Sequence, residues 1–283
     1  MLAPRPKLTD PRHIEQVKAF YANIAGTRLA AYPYFIRIYQ LFDACQREIF
    51  EAGLHGGPYE SVLDVGCGEG YHSFYAARFA QQVTGLDVSP DALALAEQRA
   101  AREGVPNVRF VCSDLTDPPL PDGAFDCVVA YGDVIGHIPD YDGALKQISR
   151  LCRPGALLVL DYDNQFHPGM IWDADERRLA GADPERGHTH AWSFRGRRLE
   201  FNTFGRREMC DLLARHGFRL ERTYGFDFFS FLIPRPERHQ FSEHIGPVAR
   251  AVMALNALDV AWRRRWPVSR WGYTQIGFAR KIG

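Results

Sequence analysis

The sequence predicts an α/β protein built on a largely parallel sheet with both faces covered. Three observations predict it. Short, almost wholly apolar runs recur along the chain at Ser61–Val65, Gln82–Asp87, Val108–Cys112, Phe125–Tyr131 and Ala156–Tyr162. Amphipathic segments of helical spacing lie between them, near 71–80, 90–103 and 140–152. Apolar strands that alternate with helices suit a parallel sheet, because crossover helices cover both of its faces. Third, Gly66-Cys67-Gly68-Glu69-Gly70 separates the first strand from the first of these helices, where the chain must turn sharply.

The other elements follow from local spacing. Asp10-Pro11 offers a cap and a first-turn proline, after which Ile14, Val17, Tyr21 and Ile24 fall on one helical face. Phe35, Ile38, Phe42, Cys45 and Ile49 repeat at three- and four-residue steps, and Gly53, Gly56, Gly57 and Pro58 end that stretch. Ser89-Pro90-Asp91 opens the helix over 90–103 and Gly104 closes it, while Pro154-Gly155 is expected to stop the helix over 140–152. Residues 163–205 are rich in charge and turn residues and suggest a hairpin around Gly196. A helix is predicted over 206–216, with Met209, Leu212 and Leu213 inward and Gly217 ending it, then a strand over 218–226. Pro247 opens a helix carrying Val248, Val252, Leu255 and Trp262, and the last strand is expected at Tyr273–Ala279. Residues 1–57 then read as an N-terminal helical lid. Residues 58–283 read as one α/β domain with lid insertions at about 163–205 and 234–270.

Composition narrows the function. A chain of 283 residues with 46% apolar and 24% charged residues can bury a large core and is not disordered. Lys and Arg number 34, as do Asp and Glu, and this balance argues against a nucleic-acid partner. No apolar run approaches the roughly 20 residues needed to span a bilayer, so no stable membrane insertion is expected. The first residues, Met1 to Lys7, lack the apolar core of a signal peptide. Six cysteines occur singly, with no Cys-x-x-Cys pair, which suits reduced thiols in a cytoplasmic protein. Charge is uneven, however. From Arg235 onward nine basic residues face three acids, which fits either a solvated helix face or contact with an anionic substrate or membrane surface.

The most informative stretch is Val62-Leu63-Asp64-Val65-Gly66-Cys67-Gly68-Glu69-Gly70. A glycine turn leading into a helix lets backbone approach a ligand closely. A dinucleotide fingerprint wants a glycine three residues after Gly68, and Tyr71 stands there instead. Asp64 would repel a pyrophosphate but suits an ammonium group. Asp87 ends the second strand, where an acid can hold both hydroxyls of a ribose. Asp114, after the third strand, could accept a hydrogen bond from an adenine amino group. One glycine loop and three acids at successive strand ends form a composite pattern.

On these residues the sequence resembles the class I S-adenosylmethionine-dependent methyltransferases. Leu63 to Gly70 carry the resemblance, with Gly85 to Ser89, Ser113-Asp114-Leu115, Phe125 to Ala130 and Leu151 to Leu158. It is strong over about 58–165 and looser over Phe204–Phe226 and the final strand. It implies a Rossmann-like seven-stranded sheet of order 3-2-1-4-5-7-6 with an antiparallel last strand. It also implies S-adenosyl-L-methionine as cofactor and S-adenosyl-L-homocysteine as product. Gly66, Cys67, Gly68 and Gly70 would line the methionine part, with Asp64 beside them. Asp87 would hold the ribose. Val88, Asp114 and Leu115 would meet the adenine, and Tyr131 and Gly132 would lie near the sulfonium.

The expected reaction is methyl transfer to a small apolar or aromatic acceptor at oxygen or nitrogen. A quinone or isoprenoid acceptor, and a protein that binds the cofactor without transferring methyl, are the alternatives. A nicotinamide dehydrogenase is disfavoured by Asp64 and Tyr71. A hydroxyl acceptor needs a base. His137 and Asp133, in the segment Tyr131–Ile138, and Tyr21 in the lid are the candidates. Asp133 and His137 alone are too few for a metal site, so none is expected. His188 and His190 read as surface residues. The aromatic run Phe226–Leu232 reads as core, or as pocket wall if the acceptor is apolar. The sequence leaves the oligomeric state open.

Overall fold

The computed structural model describes residues 10, 12–22, 33–52, 58–172, 189–194, 197–233 and 246–283. Two helices come first, α1 (His13–Ala22) and α2 (Pro33–Gln46), and a π-helical turn, Arg47–Glu51, extends α2. Then follow β1 (Tyr59–Val65), α3 (Tyr71–Ala76), β2 (Ala80–Asp87), α4 (Pro90–Glu103), β3 (Val108–Cys112) and β4 (Phe125–Ala130). The short α5 (Val134–His137), α6 (Tyr141–Leu151) and β5 (Cys152–Asp163) come next. The hairpin strands β6 (Thr189–Phe194) and β7 (Arg197–Asn202) precede α7 (Arg206–Arg215) and β8 (Phe218–Phe226). The chain closes with α8 (Pro247–Trp262), α9 (Val268–Trp271) and β9 (Thr274–Lys281).

Seven strands form one sheet of order β3-β2-β1-β4-β5-β9-β8, with β9 antiparallel to both neighbours. Counting its strands in chain order gives the expected 3-2-1-4-5-7-6. Alternate residues of the central strands serve opposite faces. Leu63, Val128 and Leu158 join the core under α6 and α7, and Val62, Cys127 and Leu157 join the core under α2. Strand order reverses between β1 and β4, and the crevice outside their C-terminal ends is where such sheets bind ligands.

Local signals explain most boundaries. Ser89 Oγ accepts from Ala92 N at 3.3 Å to cap α4, and Gly104 closes it at φ 65°. Asp126 takes the Glu60 and Ser61 amides at 2.8 and 3.1 Å, tying β4 to β1.

Several expectations need correction. The helix expected near 71–80 ends at Ala76, because β2 already begins at Ala80. Pro154-Gly155 does not end a helix: α6 stops at Leu151 and those residues lie in β5. The buried face of α1 is His13, Val17 and Phe20, with Ile14 and Tyr21 at its margins. On α8 the buried stripe is Val252, Asn256 and Asp259, while Val248 is exposed. Polar partners make that possible. Asn256 donates to Gln40 at 2.7 Å, and Asp259 accepts the amides of Phe228, Phe229 and Ser230. Ile24, His188, Gly196 and the side chains of Phe35 and Ile38 lie outside what is described.

Part of the basic C-terminal excess is used internally. Arg263 and Arg264 both pair with the buried Glu48, which also accepts from Tyr224 Oη at 2.7 Å.

The packing of α9 on β8 gives a test. A Cβ on Gly225 would stand 1.7 Å from the Val268 carbonyl oxygen, a backbone atom that cannot rotate away. Gly225→Ala is expected to cost about 3 kcal/mol or more by thermal unfolding. Gly104→Ala, with open space but φ +65°, should cost about 1–2 kcal/mol. Equal losses would contradict this packing.

Candidate functional site

The glycine loop turns because three of its residues adopt backbone that side chains disfavour: Gly66, Gly68 and Gly70 have φ of 67°, 51° and 81°. Two of them differ in what surrounds them. A Cβ on Gly66 would lie 2.5 Å from Val134 Cγ2, so that glycine lets the loop after β4 approach. Around Gly68 no atom lies within 4 Å of the same point, which leaves backbone open to a ligand. The loop is anchored to β2: Gly66 N and Cys67 N both donate to Leu86 O, at 2.7 and 3.1 Å.

Asp87 completes that anchor. One carboxylate oxygen accepts from Gly68 N and the other from Ser89 N, both at 2.8 Å. Burial raises its pKa, and these amides oppose the rise. Each oxygen keeps a further lone pair for a hydroxyl donor. Asp64, at the end of β1, is buried and accepts from Ser73 Oγ at 2.6 Å through Oδ2. Its Oδ1 is a buried acceptor with no hydrogen-bond partner. Burial pushes its pKa up to about 7, partly offset by Ser73, with Asp87 adding to the rise. A ligand that carries an ammonium group and a pair of ribose hydroxyls fits this donor set, and S-adenosylmethionine is such a ligand. The open cradle above Gly68 and the orphaned Asp64 oxygen are the observations that support the fit.

The remaining expected cofactor residues fall into two groups. Val88, half-buried, follows Asp87 at the crevice, and Asp114 begins the loop after β3, where its Oδ1 accepts from Thr116 N and Oγ1 at 2.8 and 2.9 Å. Cys67 and Leu115 turn their side chains into the protein instead. The Cys67 thiol packs against Gly85, and Leu115 belongs to the core beneath the crevice.

The loop after β4 forms the other wall. Gly132 has φ 97° with open space around it, and Asp133 follows at φ 56°, rare for a residue with a side chain. Asp161, two residues before the end of β5, holds this backbone by accepting from Gly132 N and Asp133 N at 2.9 and 3.0 Å with one oxygen. The Asp133 carboxylate folds back over Gly136, where any Cβ would come within 2.4 Å of it. Tyr131 lies against Phe42 and His72, and its buried hydroxyl has no hydrogen-bond partner.

His137 meets α1. Tyr21 Oη lies 3.0 Å from His137 Nε2, and Phe201 of β7 packs edge-on at 5.8 Å. Burial pushes the His137 pKa down to about 3, with the charge of His13 adding to the effect. The imidazole is therefore neutral, and its buried Nδ1 has no partner. The structure thus unites His137 with Tyr21 and sets Asp133 beside them. His190 is buried near Phe201, not on the surface.

Sequence reasoning missed Asp161, His13 and Phe201. Asp161 carried a signal, since two acids in Leu160-Asp161-Tyr162-Asp163 close an otherwise apolar strand. His13 shared a helical stripe with Val17 and Phe20, but that stripe lay one position off the expected face.

Asp161 yields a pH prediction. Its pKa is raised by burial to about 7, from 3.8. Between these values the native state binds more protons than the unfolded chain, so this group costs stability as pH rises through the window. Asp161→Asn keeps the accepting oxygen and cannot ionise. Its melting temperature relative to wild type should climb from pH 4 to pH 7 and then level, and a constant difference would contradict the burial argument.

A profile of the methyltransferase domain family matches residues 62–155. A malonyl-[acyl-carrier protein] O-methyltransferase of Serratia marcescens is 34% identical over 124 residues, 43% of this chain and 46% of that protein. A probable S-adenosylmethionine-dependent methyltransferase of Mycolicibacterium smegmatis is 32% identical over 193 residues, 68% of this chain and 64% of that protein. The chain thus spans less than two thirds of these relatives' lengths. Among solved structures, the Burkholderia thailandensis 1,6-didemethyltoxoflavin-N1-methyltransferase, with 1,6-didemethyltoxoflavin and S-adenosylhomocysteine bound, has TM-score 0.56 at 19% identity, covering 99% of this chain and 95% of that one. The [4+2]-cyclase SpnF has TM-score 0.57 at 19% identity, covering 99% and 98%.

Proposed function

Because this chain belongs to the class I S-adenosylmethionine-dependent methyltransferase superfamily, we propose that it transfers methyl from S-adenosylmethionine to a small apolar or aromatic acceptor, at oxygen or nitrogen. S-adenosylhomocysteine is the product. The observation that carries this reading is the pairing of Asp64 and Asp87 at adjacent strand ends around a glycine loop left open above Gly68.

The bound cofactor supplies a methyl group already activated on sulfur. The chain's own residues bind and orient. Asp87 accepts the ribose hydroxyls while keeping the Gly68 and Ser89 amides. Asp64 balances the ammonium, and the backbone of Gly66–Gly70 lines the methionine part. Val88 and Asp114 border the adenine, and Tyr131 and Gly132 border the methyl. On the acceptor side, Phe20, Tyr21 and Phe201 give apolar walls that exclude water.

His137 is the base for a hydroxyl acceptor. In the tautomer whose Nε2–H donates to Tyr21 the lone pair is on Nδ1, a weak base in this buried setting, and the acceptor's proton moves to it only as the oxygen gains the methyl. An amine acceptor that arrives neutral needs only the positioning. Asp133 shapes this loop. The relatives named as an O-methyltransferase and an N1-methyltransferase support oxygen and nitrogen alike. A second reading, chemistry other than methyl transfer, is favoured by one observation: a protein of this fold is a [4+2]-cyclase.

Calorimetric titration tests the cofactor. S-adenosylmethionine and S-adenosylhomocysteine should bind, NAD should not, and Asp87→Ala should weaken binding roughly 10- to 100-fold. NAD binding without S-adenosylhomocysteine binding overturns the reading. For the base, His137→Gln should lower methyl transfer to a hydroxyl acceptor by about 10²- to 10⁴-fold while S-adenosylhomocysteine affinity holds. Because the imidazole is already neutral, the wild-type rate should show no loss from its protonation between pH 8 and pH 5.

A further inference from the structure

An aromatic stripe lies outside the site just described. Trp266 and Trp271 meet with ring centroids 5.4 Å apart, and Phe166 packs on Trp271 at 6.1 Å. Beneath it, the buried His167 packs edge-on against Tyr273 at 4.7 Å, and the buried Phe231 stacks on Tyr273 at 4.8 Å. Beyond them, Trp172 Nε1 donates to the Leu232 carbonyl at 3.1 Å, with Ile171 alongside. The stripe starts where β5 ends, with Asp163 opposite Thr274, on the same edge of the sheet as the crevice.

Its exposure is concentrated. Nine large hydrophobic side chains are exposed among the described residues, and five stand here: Phe166, Ile171, Trp172, Leu232 and Trp266. Trp266 is 67% exposed and Trp172 51%. Scattered apolar residues need no explanation, whereas a contiguous set does.

The charge beside it has one sign. Residues 263–271 carry four arginines and no acid. Arg263, Arg264, Arg265 and Arg270 flank Trp266, and Glu48 answers the first two.

We propose that this stripe docks the protein peripherally on an anionic lipid surface, with Trp172 and Trp266 at the headgroup level and the arginines facing lipid charge. Tryptophan and arginine are the side chains suited to that boundary. The aliphatic Ile171 and Leu232 favour lipid over nucleic acid, since they gain from acyl chains and offer no ring for a base. Docking there would set the acceptor side of the crevice toward the membrane, where apolar acceptors such as quinones dissolve. The proposal does not depend on methyl transfer.

Flotation of the full chain with vesicles tests it. The protein should float with phosphatidylcholine–phosphatidylglycerol vesicles and much less with phosphatidylcholine alone. Trp172→Ala with Trp266→Ala should lower partitioning roughly tenfold or more. Arg265→Gln should lower it roughly fivefold. Retained S-adenosylhomocysteine binding, or failing that an unchanged circular-dichroism melt, shows that the variants are folded. No flotation, flotation insensitive to these substitutions, or binding to single-stranded RNA in place of vesicles overturns the proposal.

Discussion

The Asp87 carboxylate accepts one backbone amide from the glycine loop and one from the start of α4, and the ligand side of the sheet depends on that bridge. A parallel sheet leaves its strand ends as separate loops. Where strand order reverses between β1 and β4, those loops diverge and leave a crevice. Asp87 joins two loops on one side of it, and Asp161 holds the loop on the other through Gly132 and Asp133. Two acids at or near strand ends thus hold both rims, each spending acceptor capacity on backbone amides. This is pre-organisation in physical terms: the left-handed backbone at Gly68 and Gly132 and the strained one at Asp133 are fixed before a ligand arrives.

The same burial that builds the rims sets the electrostatics. Asp64 and Asp161 are raised to about 7 because water is excluded from them. For Asp64 this is a standing cost that a cationic ligand relieves, so binding and stability are linked through one carboxylate. His137 is driven the opposite way by the same cause, so its imidazole is neutral at physiological pH. Burial thus disfavours the charged form at Asp64, Asp161 and His137 alike.

The sheet and its cofactor edge were legible in the sequence because both write strong local signals. Apolar strands cannot alternate with amphipathic helices for long without a buried parallel sheet. An acid after each of the first three strands, beside a glycine turn, is hard to place elsewhere. What stayed hidden depends on tertiary contact. The side chains of Cys67 and Leu115 turn inward although their positions in the motif face the crevice. Asp259 and Asn256 lie on the buried stripe of α8 with partners from distant segments, the Phe228–Ser230 amides and Gln40, which no periodicity of apolar residues reveals. The contact of His137 with Tyr21 joins residues 116 positions apart, which only the placement of α1 in the fold brings together.

A structure with S-adenosylhomocysteine bound tests the central claim most directly. It should place the ribose hydroxyls on Asp87 with the Gly68 and Ser89 amides still bound to that carboxylate, the ammonium toward Asp64, and the sulfur near Gly132. A nucleoside seated away from Asp87, or an Asp87 that surrenders the Gly68 amide to make room, would contradict the account of a crevice whose rims are set before the ligand arrives.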